Sequence, residues 1–91
     1  MSGFVGITAL FSVLQQVLSI DYALLCKHKN EFVAALSPLS DKNRYTITRE
    51  NIKKCIEKLP NSFYEKCAIA DKAKFQHFVI NYLVDNIKDM I

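Results

Sequence analysis

The stretch Glu31-Phe32-Val33-Ala34-Ala35-Leu36-Ser37-Pro38-Leu39-Ser40-Asp41-Lys42-Asn43-Arg44-Tyr45-Thr46-Ile47-Thr48-Arg49-Glu50-Asn51-Ile52 decides the fold. It is laid out as a helix, a short turn and a second helix. Phe32, Leu36 and Leu39 recur at helical spacing, and Pro38 predicts a stop or kink near Ser37 because it lacks an amide proton and crowds the preceding turn. Ser40 to Arg44 then reads as a loop. Thr48 reads as a cap for the next helix, with no acid at the usual capping-box place.

In the second helix Ile52, Cys55, Ile56 and Leu59 form a buried stripe while Lys53, Lys54, Glu57 and Lys58 point outward. Pro60-Asn61-Ser62 ends that helix and offers Asn61 or Ser62 as the next cap. Phe63, Tyr64, Cys67 and Ile69 mark a short element. Phe75, Phe78, Val79, Tyr82, Leu83 and Ile87 mark a final helix of about 15 residues. Upstream, Phe4, Ile7, Leu10, Phe11, Leu14, Val17 and Leu18 give a broad apolar face, and Leu24, Leu25 and Cys26 continue the helical signal up to a polar break at Lys27 to Asn30.

With 91 residues the chain has room for one core, and 51% apolar against 23% charged residues, with two Gly and two Pro, argues against disorder and against a turn-rich sandwich. The expected fold is an all-α, small helical bundle of four to five helices in a single domain over 1–91, with 1–26 as an N-terminal helical extension. Cys26, Cys55 and Cys67 are an odd count without a CxxC pair, and they read as reduced small hydrophobes in a cytoplasmic or otherwise intracellular chain. No metal and no cofactor is expected.

Phe4 to Ile20 lacks a preceding basic segment and a cleavage signal, and it is short of the roughly 20 apolar residues that span a bilayer. A core helix is the expected reading. A homodimer through Phe4–Leu18 is an alternative, and a membrane role is the weaker one.

Residues 31–84 resemble a calmodulin or myosin light-chain lobe, two EF-hands back to back. Glu31 to Leu36 is similar to an entering helix, Asp41-Lys42-Asn43 to a loop start, Tyr45 to Ile52 to the loop end and exiting helix, and Lys74 to Val79 to the second exiting helix. The pair of degenerate helix-loop-helix units would span 31–88. A working loop places oxygens at its first, third, fifth, seventh, ninth and twelfth positions and Gly at the sixth. Counted from Asp41, oxygens stand at Asp41 and Asn43, but Tyr45, Thr46, Arg49 and Ile52 take the fifth, sixth, ninth and twelfth places. Setting Ile47 on the central hydrophobic position requires one deletion. In the second unit Lys66, Ala68 and Ala70 fall where oxygens belong and His77 replaces the last carboxylate.

The resemblance therefore implies a non-enzymatic adaptor that binds a helical segment of a partner protein without calcium. Phe32, Leu36, Ile52, Ile56, Phe63, Phe75, Phe78 and Tyr82 are its expected contact residues, although core packing is the commoner role for each, since a small helical domain needs about that many core residues. The alternative function is a small basic helical regulator of DNA or RNA. The net charge is +3, and residues 41–74 carry nine basic against five acidic side chains; Lys42, Arg44, Arg49, Lys53, Lys54 and Lys58 form the basic surface. Asp41, Glu50 and Glu57 interrupt it. No residue set signals catalysis: Cys67 and His77 are a thiol and a base without a third orienting group, and no Gly-rich phosphate loop follows a strand.

Overall fold

The computed structural model describes residues 6–40 and 47–90, and every described element is helical. The six helices are α1 (Ile7–Leu18), α2 (Tyr22–Lys27), α3 (Lys29–Ser40), α4 (Arg49–Glu57), α5 (Asn61–Lys66) and α6 (Lys72–Met90). The all-α small bundle expected from the periodicity is the fold observed.

Local chemistry sets the helix ends. Gly6 enters α1 at φ 93°, a backbone angle that costs glycine little. Asp21 starts α2 by accepting from the amides of Ala23 at 2.8 Å and Leu24 at 3.3 Å. The polar break read at Lys27 to Asn30 narrows to His28: α2 ends at Lys27, and α3 begins at Lys29. Thr48 caps α4, and the box closes with an amide instead of an acid. The Thr48 hydroxyl accepts from the Asn51 amide at 3.3 Å while Asn51 Oδ1 accepts from the Thr48 amide at 3.2 Å.

Three helix boundaries depart from the sequence reading. Pro38 lies inside α3, which continues to Ser40. Proline removes the donor that would satisfy the carbonyl four residues back, and the Ser37 hydroxyl supplies one instead, donating to the Ala34 carbonyl at 2.9 Å. Neither Asn61 nor Ser62 caps α5. Pro60 holds that position without a side-chain bond, and Asn61 Oδ1 accepts from Lys72 Nζ at 2.9 Å. α6 is 19 residues long and starts at Lys72, since the Asp71 carboxylate accepts from the Lys74 amide at 3.0 Å and nucleates the turn before the first aromatic.

Packing follows the apolar stripes. α4 lies against α3 and α6, α1 against α2 and α6, and α2 against α3. Ile7, Leu10, Phe11 and Leu14 turn one face of α1 into the same core that receives Leu25, Phe32, Leu36, Ile52, Ile56, Phe63, Phe75 and Leu83. The segment 1–26 thus supplies core through its described helices, and α1 packs within its own chain. Aromatic rings link the layers: Phe11 meets Phe32 edge-on at 5.5 Å, Phe32 meets Phe63 at 6.1 Å, and Phe63 meets Phe75 at 6.1 Å. Tyr64 stands edge-on to Phe75 at 5.5 Å. Each fully buried ring contributes about 1.5–3 kcal/mol by leaving water. Pairs of this geometry add about 0.5–1.5 kcal/mol beyond burial. The Cα radius of gyration of 12.2 Å is that of a folded chain of this length, about 12 Å.

The first loop of the EF-hand resemblance, Asp41 to Thr46, lies outside the described residues. The second is described. α5 ends at Lys66 and α6 begins at Lys72, so the connection is residues 67–71, and the positions matched to the end of a twelve-residue loop are already helical.

Candidate functional site

The expected contact residues separate into two groups. Phe32, Leu36, Ile56, Phe63 and Phe75 are wholly inaccessible and Ile52 is 1% exposed, so in this closed bundle all six are interior packing. Phe78 and Tyr82, one turn apart on α6, are partly buried against the core. A partner meeting the first six would have to open the bundle and break the aromatic links described above.

The surface offers a different place. Glu31, Ala34, Ala35 and Pro38 recur on α3 at the spacing of one helix face, and Asn51, Lys54 and Cys55 on α4, with Lys58 as its C-cap, continue the same spacing. The structure sets these faces side by side. Together they line two adjoining depressions of about 370 and 140 Å³ that share Pro38 and Lys58. Pro60 closes one end, and Leu39 belongs to the other. Glu31 and Ala34 share a depression with Lys58, whereas Leu39 shares one with Asn51 and Lys54, so the two helices run in opposite directions along the groove. Alanines and a proline ring leave the floor low, and Ser37 keeps α3 helical past Pro38.

Charge is unequal across α4. Arg49, Glu50, Lys53, Lys54, Glu57 and Lys58 are all exposed. The face toward α3 carries Lys54 and Lys58 without an acid among its four lining residues, while Arg49 and Lys53 share the outer face with Glu50 and Glu57. The interrupted basic surface expected from sequence thus falls on two unlike edges of this helix, and Lys42 and Arg44 lie outside the described residues. At the far end Glu31 Oε1 accepts from Lys66 Nζ at 2.9 Å. Its other oxygen is buried and accepts no hydrogen bond.

A third depression, about 250 Å³, lies where the end of α1 meets the connection from α5 to α6. Ser19 at φ 58° and Ala68 at φ 55° flank it. Both left-handed residues terminate helices: the Ser19 amide donates to the Gln15 carbonyl at 3.1 Å, and the amide after Ala68, that of Ile69, donates to the Tyr64 carbonyl at 2.9 Å. Their backbone angles are explained by helix ending.

Cys67 and His77 have separate surroundings. Cys67 is buried and its thiol donates to the Leu24 carbonyl at 3.8 Å. Burial, with the Glu31 carboxylate adding to it and Lys66 opposing, pushes that thiol up to about 11. His77 is exposed and bonded to Asn81 at 3.1 Å. Among the described residues no three His, Cys, Asp or Glu side chains gather as a metal site, and no helix is long and apolar enough to cross a membrane.

Sequence reading missed the groove floor. Its signal was present in the Glu31, Ala34, Ala35, Pro38 spacing, but Pro38 read as a terminator and alanines carry little hydrophobic weight. Comparisons with family models, curated protein sequences and solved structures each found no match.

Proposed function

We propose that this chain is a non-enzymatic protein-interaction module that binds a helical segment of a partner without calcium. The observation that supports the reading is the paired-helix face of α3 and α4, a low, mostly apolar trough bordered by lysines on a bundle whose large aromatics are turned inward. An amphipathic helix laid into such a trough buries its apolar stripe while the recipient stays folded. Because the large aromatics are committed to the interior, recognition uses outward-facing residues and the bundle does not open.

A panel of synthetic amphipathic helical peptides, acidic, neutral and basic, tests this by fluorescence anisotropy with calcium and with chelator. Saturable binding of at least one member, unchanged by calcium, is the expected result. Failure of every member to bind, or binding that depends on calcium, refutes the proposal.

A further inference from the structure

We infer that the α3–α4 groove is the docking site and that its occupant is an acidic amphipathic helix of another protein. This rests on the reading of the chain as a helix-binding module and adds the site and the chemistry of the partner. The occupant follows from charge. Lys54 and Lys58 border the groove, both are exposed, and among the described residues neither is in an ion pair. The acid at the groove's end, Glu31, already has a cation in Lys66, so among the described lining residues the charge left for an incoming segment is positive. Lys54, Lys58 and Asn51 supply the groove's side-chain donors, but Ala34, Ala35, Pro38 and Leu39 make the rest of its lining apolar, which favours a protein segment with its own apolar stripe over a nucleic-acid backbone. Lysine stems lie along apolar surface while their ammonium groups reach outward, so carboxylates flanking the partner's stripe meet Lys54 and Lys58 at the rim.

The intact chain is titrated with a labelled synthetic peptide bearing leucines at helical spacing flanked by glutamates, and with its counterpart carrying lysines for the glutamates. The acidic peptide should bind, with amide shifts confined to Ala34, Ala35, Lys54, Cys55 and Lys58 in an NMR titration. The double substitution Lys54→Glu with Lys58→Glu should weaken it about tenfold or more, as expected for two exposed charge contacts turned repulsive. Arg49→Glu with Lys53→Glu on the outer face makes the same change in net charge and should leave affinity within about twofold. Ala34→Gln raises the groove floor without altering charge; it should reduce binding while leaving the circular dichroism unchanged.

Equal loss from both double substitutions shows general attraction and overturns the site. Tighter binding of the lysine peptide overturns the acidic partner while leaving a helix-binding module standing, and silence from every peptide of the panel removes that module as well. Two further results overturn the inference: random-sequence duplex DNA competing for Lys54 and Lys58 at physiological salt, or a dimer of the chain alone that Lys54→Glu with Lys58→Glu dissolves.

Discussion

Ala68 carries a side chain at φ 55°, where the β-carbon crowds the following carbonyl. Ala68→Gly should relieve that crowding, partly offset by the extra freedom glycine gains when unfolded, for a net stabilisation of about 0.5–1 kcal/mol in urea unfolding. Cys67 gives a prediction of the opposite sense. Its thiol rises from the ordinary 9.0 to about 11 in the folded chain, so between those values the folded state holds a proton that the unfolded state has lost. The contribution of Cys67 to stability is complete below pH 9 and disappears as pH climbs to about 11. A Cys67→Ala variant should show a shallower decline over that window. Little of this was legible beforehand. Cys67 reads from sequence as a small hydrophobe, but its neighbours Leu24 and Glu31 are distant along the chain.

At the scale of the helices, the apolar stripes were legible because burial imposes a spacing that the chain itself displays: Ile52, Cys55 and Ile56 are buried on α4 as read. The boundaries were less so, since each depends on one competing bond. Ser37 overrides the proline stop, Asp71 advances α6, and Asn51 does the work expected of a glutamate. Thr48→Ala removes the acceptor for the Asn51 amide and should cost about 1 kcal/mol, measured by thermal and urea unfolding. The candidate site was hidden for a related reason. Two faces, each unremarkable alone, become a trough only when α3 and α4 lie side by side, and the sequence shows the faces without their juxtaposition.

For the whole molecule, Phe63 is the side chain on which most layers meet, touching Phe32 of α3, Tyr64 beside it and Phe75 of α6. Phe63→Ala should cost about 3–5 kcal/mol, a large share of the roughly 5–14 kcal/mol available to a chain of 91 residues. The loss should appear as a lower urea midpoint with an unchanged slope. The one-core bundle was legible from length, composition and periodicity, whereas the route taken by the rings through it was not. That route runs from Phe11 on α1 through Phe32 and Phe63 to Phe75 on α6, joining helices far apart along the chain. No interior helix can then melt by itself: the slowest-exchanging amides of α1 and α6 should report one common opening energy, that of the entire molecule.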